Sequence, residues 1–301
     1  MSKVLCFGSL NIDYTYSVQD FVRRGETISS SKLDVFAGGK GLNQCTALAR
    51  AGAETYMAGR IGEEGIFLTD ALKSYGADVS KVAVSNDVKT GHAIIQNNAE
   101  GDNCIILFGG ANRIIDEAYV DAVLADFSNG DYIVLQNEIS CMAYIMEKAH
   151  EKGMKIVLNP SPIDDALFTY PLELADILMM NEIEASALLG DDFDIENPLP
   201  YAEILAQKYN SGIVVTLGSK GACYSDGKES FMQNGIKVNP VDTTGAGDTF
   251  TGFFVSELMS EKSVNEALTT AIYASALECT RKGASPSIPT VTEVNEFRVL
   301  K

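Results

Sequence analysis

The sequence contains no tryptophan, only two histidines, and little positive charge. Its 23 Lys and Arg residues stand against 41 Asp and Glu residues, which gives a formal net charge of -18 at pH 7. Nucleic acids and anionic membrane surfaces repel such a chain, so neither is an expected partner. If the protein handles phosphate groups, the favourable potential must come from a few well-placed groups.

Paired cysteines, clustered histidines and long apolar runs are also lacking. The six cysteines are scattered, without the close pairs that zinc sites and redox motifs require. His92 and His150 are too far apart in the sequence to suggest a histidine-based metal site. No signal peptide pattern opens the sequence, and no apolar run approaches the length of a membrane span. We therefore expect a cytoplasmic protein with reduced cysteines.

Short apolar runs alternate with segments of helical periodicity. The runs predict strands that are covered by helices on both faces, at residues 3–7, 131–135, 155–158, 176–179 and 212–216. Helices are predicted over residues 115–127 and 141–152, and another begins at the capping box of Ser263 and Glu266. This order predicts a three-layer α/β/α, Rossmann-like domain with a mostly parallel central sheet, spanning residues 1–301.

Two stretches interrupt this alternation. Residues 26–36 and 90–108 show partial alternation of apolar and polar residues, and the second contains a hairpin signal with its turn at residues 97–102. We predict a small β-sheet lid formed from about residues 14–36 and 90–108.

A glycine-rich segment precedes a predicted buried helix near the C-terminal end of the sequence. It reads Asp-Thr-Thr-Gly-Ala-Gly-Asp over residues 242–248. Glycines before a helix expose backbone N–H groups, which together with the helix dipole favour an anion. Asp248 lies in the first turn, where it either stabilises the helix or takes a proton from a hydroxyl group. The dipole should keep Asp248 ionised at neutral pH.

Other polar residues follow predicted strands, where ligands of parallel α/β sheets bind. Asn11 and Asp13 alternate on extended chain, so they face the same way and suit sugar hydroxyls, although an ordinary turn would look similar. Lys40 and Asn43 belong to a second glycine-rich segment, which as a bare pattern also fits a tight turn. Asn181 and Glu184, three residues apart, resemble a helix capping pair.

Taken together, these segments resemble the ribokinase-like, or phosphofructokinase-B, family of sugar and nucleoside kinases. The resemblance runs from Val4 to about Pro289, and residues 242–248 and 38–43 match the two signatures of the family. Cys45 stands where the second signature usually has Ala, Ser or Thr. The resemblance implies ATP-dependent phosphorylation of a sugar primary hydroxyl, with ribose as the expected sugar. The alternative within the family is another sugar kinase, such as a fructokinase, or a nucleoside kinase. A hypothesis from a different functional class is a sugar-binding protein without catalytic activity.

The resemblance also implies roles for individual residues. Asp248 would be the general base, and the N–H groups of Gly245, Ala246 and Gly247 would stabilise the transferring phosphoryl group. Sugar binding is implied for Asn11, Asp13, Gly39, Lys40, Gly41, Asn43 and Glu138. Nucleotide binding is implied for Asn181, Thr216, Gly218, Ser219, Lys220, Gly221 and Gly247.

Two kinds of metal ion follow from the same resemblance. Glu184 with Asn181 would hold Mg²⁺ together with ATP. A monovalent cation, K⁺ in most of the family, would lie near Asp242, Thr244, Glu278, Arg281, Gly283 and Ser287. Members of the family also tend to dimerise through the lid, so a homodimer is expected.

Overall fold

A computed structural model of the chain describes residues 2–100 and 102–300. The strands in these residues are β1 Val4–Phe7, β2 Asn11–Ser17, β3 Lys32–Gly38, β4 Thr55–Gly62, β5 Asp78–Ser85, β6 Gly91–Asn97, β7 Asn103–Phe108, β8 Tyr132–Gln136, β9 Lys155–Asn159, β10 Ile177–Asn181, β11 Gly212–Thr216, β12 Gly221–Ser225 and β13 Ser230–Asn234. The helices are α1 Lys40–Arg50, α2 Ile66–Ser74, α3 Glu117–Leu124, α4 Met142–Glu151, α5 Glu182–Leu189, α6 Leu199–Tyr209, α7 Ala246–Met259, α8 Val264–Glu278 and α9 Val291–Leu300.

The central sheet follows the order β13-β12-β11-β10-β9-β8-β1-β4-β5. Neighbours from β11 to β5 pair in parallel, whereas β12 and β13 add antiparallel strands at one edge. The five strands predicted from apolar runs are all present, with ends shifted by no more than two residues.

Helices cover both faces of this sheet because its strands carry apolar side chains on both sides. In β1, Leu5 and Phe7 belong to a core that includes residues of α3, α4, α5 and α6. Val4 and Cys6 point the other way, into a core shared with α1, α2, α7 and α8. All four side chains are fully buried. The predicted three-layer α/β/α arrangement is therefore confirmed.

A smaller sheet has the order β3-β2-β6-β7. Strands β6 and β7 form the predicted antiparallel hairpin, while Gly101 of its turn lies outside the described residues. The predicted strand over residues 26–36 is wrong in its first half, since β3 spans only Lys32–Gly38. The reason is its partner: β2 pairs with β3 from Asn11 opposite Gly38 to Ser17 opposite Lys32, so earlier residues have no strand beside them.

The predicted helices are present but shorter than their sequence patterns. α3 occupies Glu117–Leu124 within the predicted residues 115–127, and α4 ends just before Gly153, whose φ of 71° lies in the left-handed region. The capping box of Ser263 and Glu266 at the start of α8 is confirmed. Among residues 2–100 and 102–300, no helix combines the length and apolar character that crossing a membrane requires.

Candidate active site

The starts of α1 and α7 meet around the carboxylate of Asp248. One oxygen, Oδ2, accepts a hydrogen bond from Asn43 Nδ2 at 3.0 Å, and the other, Oδ1, accepts from Gln44 Nε2 at 2.9 Å. Asp248 is 7% exposed. Two amide donors on a buried carboxylate favour its ionised form, which is the form that can take a proton.

Burial acts against that ionised form. It raises the pKa of Asp248 above its ordinary value, while the charge of Lys40 and the amides of Gln44 and Asn43 lower it. The expectation that the helix dipole keeps this group ionised therefore omitted the opposing effect of burial. A raised pKa makes the carboxylate a stronger base once it is ionised.

Asp248 lines a cleft, here called the helix cleft, between the N-terminal ends of α1, α5 and α7. Its lining also includes Lys40, Asn181, Glu184, Thr216, Gly245 and Gly247. Burial works to lower the pKa of Lys40, but the nearby carboxylates of Asp248, Glu138 and Glu184 together raise it. A positively charged Lys40 therefore lies among carboxylates in a cleft of a strongly acidic protein.

The N-terminus of α7 opens into the helix cleft. Gly245 is the N-cap residue, with a φ of 92° that favours glycine. The N–H of Ala246 donates to Thr243 O at 3.3 Å, so it already has an acceptor. The N–H of Gly247, in the first turn, has no acceptor within the helix. A Cβ atom at Gly247 would meet no atom within 4 Å, which leaves the approach to this N–H open.

Asn181 and Glu184 form a capping box at the start of α5. Asn181 Oδ1 accepts from Glu184 N at 2.8 Å, and Glu184 Oε2 accepts from Asn181 N at 3.0 Å. The capping role read from the sequence is confirmed, and both residues also line the helix cleft. Among the described residues, no group of three or more His, Cys, Asp or Glu side chains could hold a metal ion. Asp248 and Glu184 both line the helix cleft, and one carboxylate such as Glu184 suits Mg²⁺ that is coordinated mainly by phosphates and water.

A second cleft, here called the sheet cleft, lies beside the small sheet and is lined by Asn11, Leu107, Gly109, Asn112, Arg113 and Glu138. Asn11 Oδ1 accepts from Asn112 Nδ2 at 2.8 Å, which fixes the orientation of both amides. Glu138 Oε2 accepts from the backbone N–H of Lys40 at 3.3 Å and from the hydroxyl of Ser9. These contacts place amide and carboxylate groups together at one edge of the central sheet, as hydroxyl recognition requires.

Asp13 lies on β2, two residues from Asn11, with its carboxylate against Gly38 on the adjacent strand. A Cβ atom at Gly38 would lie 2.0 Å from Asp13 Oδ2, so any side chain there would displace the Asp13 carboxylate. Burial raises the pKa of Asp13 to about 7, and the charge of Glu138 adds to the increase. The structure thus brings Asp13 and Glu138 into one electrostatic group.

The glycines of residues 39–41 allow the start of α1 to approach the end of β1. Gly39 has a φ of 96°, and a Cβ atom at Gly41 would lie 2.4 Å from Ser9 N. Gly41 N also donates to Ser9 Oγ at 3.2 Å. Both glycines therefore have structural reasons to be present, and Lys40 between them reaches the helix cleft.

The segment from Thr216 to Gly221 follows β11. Thr216 lines the helix cleft. Gly218, Ser219 and Lys220 form one short 3₁₀ turn, and Lys220 Nζ pairs with Glu196. Lys40, rather than Lys220, is among the residues that line the helix cleft. Gly221 starts β12 with a φ of 110°, and a Cβ atom there would lie 2.0 Å from Gln233 O.

The residues expected near a monovalent cation also come together. Asp242 Oδ2 accepts from Gly283 N and its Oδ1 accepts from Thr244 N, each at 3.0 Å. Burial works to raise the pKa of Asp242, but these backbone donors lower it overall. The loop that precedes α7 is thereby joined to the loop that follows α8.

Glu278 lies between these loops with its side chain fully buried. Its Oε1 accepts from Ser287 Oγ at 2.8 Å, and its Oε2 has no hydrogen-bond partner among the described residues. Burial raises the pKa of Glu278 to about 8, and the charges of Asp242 and Asp248 add to the increase. An unpartnered, buried carboxylate oxygen fits a cation. The guanidinium of Arg281 instead pairs with Glu293 at 2.7 Å, so only its backbone is suited to the cation.

Several polar residues of this region carry no motif in the sequence that would have predicted them there. Gln44 contacts Asp248, Gln136 contacts Gln44 at 2.7 Å, and Ser9 contacts Glu138. Gln136 ends an otherwise apolar strand, and Gln44 is fully buried in α1. A buried glutamine is unusual, and its occurrence directly after Asn43 was the available signal.

Comparison with known proteins places this site in a family. Residues 1–291 match the pfkB family carbohydrate kinases. The chain therefore belongs to the pfkB family of carbohydrate kinases.

Within that family the chain is similar to ribokinases. It is 36% identical over 306 residues to the ribokinase of Haemophilus influenzae, an alignment that covers 99% of each chain. The ribokinase of Arabidopsis thaliana, solved with ribose and ATP, superposes with a TM-score of 0.87 at 31% identity over 99% of each chain. The ribokinase of Cryptococcus neoformans var. grubii, solved with ADP, superposes with a TM-score of 0.85 at 36% identity over 98% of each chain.

Proposed function

We propose that this chain is an ATP-dependent ribokinase, which transfers the γ-phosphoryl group of ATP to the primary hydroxyl of D-ribose and forms ribose 5-phosphate. The observation that carries the proposal is the carboxylate of Asp248, held by two amide donors in the first turn of α7 and facing the helix cleft. The family and the similarity to ribokinases support the same reaction.

Asp248 acts as the general base. Its ionised carboxylate takes the proton of the sugar hydroxyl as the oxygen attacks the γ-phosphorus, and the bond to the β,γ-bridging oxygen breaks. Lys40, Asn43 and Gln44 favour the ionised form against the effect of burial. The proton stays on Asp248 until the product leaves.

Charge on the transferring phosphoryl group is stabilised at the N-terminus of α7. Gly245 and Gly247 line the helix cleft, and their N–H groups, which the first turn leaves without helical acceptors, donate to the phosphoryl oxygens in this proposal. The N–H of Ala246, which donates to Thr243 O, contributes less than the sequence suggested. Lys40 adds a positive charge. Backbone donors and one lysine explain how so acidic a protein handles ATP.

The sugar ring occupies the sheet cleft and its primary hydroxyl reaches Asp248 in the helix cleft. The two clefts are joined at Lys40, which lines the helix cleft and whose N–H donates to Glu138 of the sheet cleft. The carboxylates of Asp13 and Glu138 accept hydrogen bonds from its hydroxyls, and the amide nitrogen of Asn11 donates to them. Gly39 and Gly41 let the start of α1 approach the end of β1. Asn43 belongs to the proposed sugar-binding residues through its contact with Asp248. The nucleotide lies along Asn181 and Thr216 of the helix cleft and the turn of Gly218, Ser219 and Lys220 that follows β11.

Two cations complete the site in this proposal. Glu184 with Asn181 would hold Mg²⁺, which supplies charge neutralisation at the β- and γ-phosphates. A monovalent cation, K⁺, would lie between Asp242 and Glu278, with backbone groups of Thr244, Arg281, Gly283 and Ser287 around it. The unpartnered oxygen of Glu278 supports this second site.

The small sheet serves as the lid of the single domain. Its strands carry several exposed apolar side chains, including Ile105 at 56% and Ile106 at 64% exposure. Apolar surface of this kind on open edge strands favours association with a second copy, so the protein acts as a homodimer through the lid. The free cysteines support a cytoplasmic location.

The test is a phosphorylation assay with D-ribose, D-fructose and adenosine at saturating ATP and Mg²⁺. Turnover of ribose well above the other two is expected. Preference for fructose or adenosine would assign another activity within the family, and no phosphorylation of any would favour the non-catalytic sugar-binding alternative.

The variant Asp248→Asn tests the base. It should fold, bind ribose in calorimetry and lose kcat by about three orders of magnitude or more. Asp70→Asn, a change of the same kind at an exposed position of α2, should retain full activity. Near wild-type turnover of Asp248→Asn would remove Asp248 from the mechanism.

A further inference from the structure

A chain of buried amides leads away from Asp248 into the central sheet. Gln44 Nε2 donates to Asp248 Oδ1 at 2.9 Å, and Gln44 Oε1 accepts from Gln136 Nε2 at 2.7 Å. Gln136 lies at the end of β8, and its Nε2 also lies 3.8 Å from the sulfur of Cys6 in β1. Both glutamines are fully buried. Three secondary-structure elements therefore determine where the Asp248 carboxylate lies.

We propose that Gln44 and Gln136 are positioning residues for Asp248, forming a two-amide relay that keeps an N–H donor directed at Oδ1 and holds the carboxylate toward the reacting hydroxyl. The inference rests on the proposed function, since it takes Asp248 as the general base.

The relay has a definite polarity. The amide of Gln44 could face Asp248 with either its nitrogen or its oxygen, and only the nitrogen is attractive to a carboxylate. The donor from Gln136 occupies the oxygen of Gln44, and Asn159 Oδ1 accepts from Gln44 Nε2 at 3.4 Å, so both contacts favour the orientation in which the nitrogen faces Asp248. Gln136 therefore acts on Asp248 through the orientation of Gln44 rather than by contact.

Neither efficient packing nor full satisfaction of the buried polar groups explains why Gln44 and Gln136 are both glutamines. Gln136 Oε1 has no partner among the described residues, and a buried amide oxygen without a donor reduces stability. Gly8, at the end of β1, leaves space for this amide, since a Cβ atom there would lie 1.9 Å from Gln136 Oε1. An apolar side chain would fill the same volume, so the relay retains an amide at a cost in stability.

Other charged groups also influence Asp248. Lys40 from α1 lowers its pKa, and the negative charges of Glu278 from α8 and of an ionised Cys6 from β1 interact unfavourably with it. A thiol as deeply buried as Cys6, whose pKa is raised to about 12, stays neutral near pH 7. Lys40 and Glu278 are unchanged in the variants below, so their effect is constant across the comparison.

The test compares Gln44→Met, Gln136→Met and the double variant with the wild type. Methionine keeps the length of glutamine, but it donates no hydrogen bond and cannot orient a neighbouring amide. For Gln44→Met we expect kcat to fall about tenfold with the KM for ribose changed less than threefold, and the acidic limb of log(kcat/KM) to move up by about one pH unit. Gln136→Met should show the same changes to a smaller extent.

The double variant is decisive. If Gln136 acts through Gln44, the double variant matches Gln44→Met instead of adding the two effects. It also replaces both members of the amide pair with apolar groups, so it keeps its fold even if a single variant does not. Gln207→Met is the matched control, because Gln207 donates to the exposed Glu203 at 3.3 Å, and it should leave both kcat and the limb unchanged.

A direct titration separates this inference from the proposed function. In protein labelled with ¹³C at aspartate carboxyl groups, the signal lost in Asp248→Asn belongs to Asp248, and its pKa should rise in Gln44→Met. This readout requires no turnover, so a wild type inactive toward ribose overturns the proposed function alone. The relay would be overturned by any of three results. These are an unchanged Asp248 pKa and acidic limb in Gln44→Met, a change confined to the KM for ribose, and additive effects in the double variant.

Discussion

Asn43 Nδ2 lies 3.0 Å from Asp248 Oδ2, although 205 residues separate them in the sequence. The contact joins the two glycine-rich segments that the sequence presents as separate helix starts. Each segment alone fits a tight turn or a capped helix. Their meeting on one buried carboxylate identifies them as parts of one site.

This meeting depends on the close approach of α1 and α7. A Cβ atom at Gly252 of α7 would lie 2.3 Å from Ala47 Cβ and 2.7 Å from Leu48 N. The helices can therefore pack closely only because residue 252 has no side chain. That packing fixes Asn43 and Gln44 relative to Asp248.

Gly247→Ala should separate function from stability. A Cβ atom at Gly247 has no neighbour within 4 Å, so the variant should be as stable as the wild type or up to about 1 kcal/mol more stable. In the proposed function the phosphates approach the N–H of Gly247, where the added methyl group would stand, so kcat/KM for ATP should fall about tenfold or more.

Gly252→Ala provides the matched control for that variant. The overlap with Ala47 and Leu48 should destabilise the protein by about 1–3 kcal/mol in denaturant unfolding. Unchanged kinetics in Gly247→Ala would show that no phosphate passes this glycine.

The strands that could be predicted are those buried on both faces. The residues of β8 to β11 form short apolar runs, because each strand packs against helices on both sides. β4 and β12 escaped prediction, since Thr55–Gly62 contains two glycines and an arginine, and Gly221–Ser225 contains small residues. Their positions follow from neighbouring strands, which a local pattern does not show.

The site was predictable where the sequence motif is local. Asp248 and the Asn181–Glu184 pair were identified from a few consecutive residues. The relay of Gln44 and Gln136 was not, because the two glutamines are 92 residues apart and only the packing of α1 on the sheet unites them. The ion pair of Lys220 with Glu196, 24 residues away in the sequence, was likewise not visible in a local pattern.

Glu184→Gln should raise the Mg²⁺ requirement several-fold. The glutamine can still accept the capping hydrogen bond from Asn181 N, so the stability of the protein should fall by no more than about 1 kcal/mol. If Glu184 holds Mg²⁺ as proposed, the variant loses the charge that attracts the ion, so half-maximal activity should need more Mg²⁺ at constant ATP.

Glu266→Gln makes the same change in the capping box of α8, which is exposed and distant in sequence from the cleft residues. It should match Glu184→Gln in stability and the wild type in its Mg²⁺ titration. Identical Mg²⁺ titrations for all three proteins would exclude Glu184 from the metal site.

Ile106→Glu should convert a lid-mediated dimer into a monomer. Successive residues of a strand face opposite sides, and Leu107 lines the sheet cleft, so Ile106 lies on the other face of the small sheet. A buried charge in the interface would weaken association by several kcal/mol. Light scattering after gel filtration measures the mass, and Ile204→Glu, at an exposed site of α6, should leave it unchanged. A wild-type monomer, or a dimer that persists in Ile106→Glu, would contradict the lid interface.

K⁺ should stabilise the protein more at pH 9 than at pH 6. The pKa of Glu278 is raised to about 8 by burial, above its ordinary 4.5. The folded state therefore retains a proton that the unfolded state releases, and this contribution to stability is present below about pH 4.5 and is lost as the pH rises through about 8. A cation beside the ionised carboxylate offsets that loss.

Melting temperatures in K⁺ and in tetramethylammonium at equal ionic strength should differ by about 2–5 °C more at pH 9 than at pH 6. Glu278→Gln should remove this pH-dependent difference and Glu203→Gln should keep it, whereas an equal K⁺ effect at both pH values in the wild type would separate Glu278 from the cation.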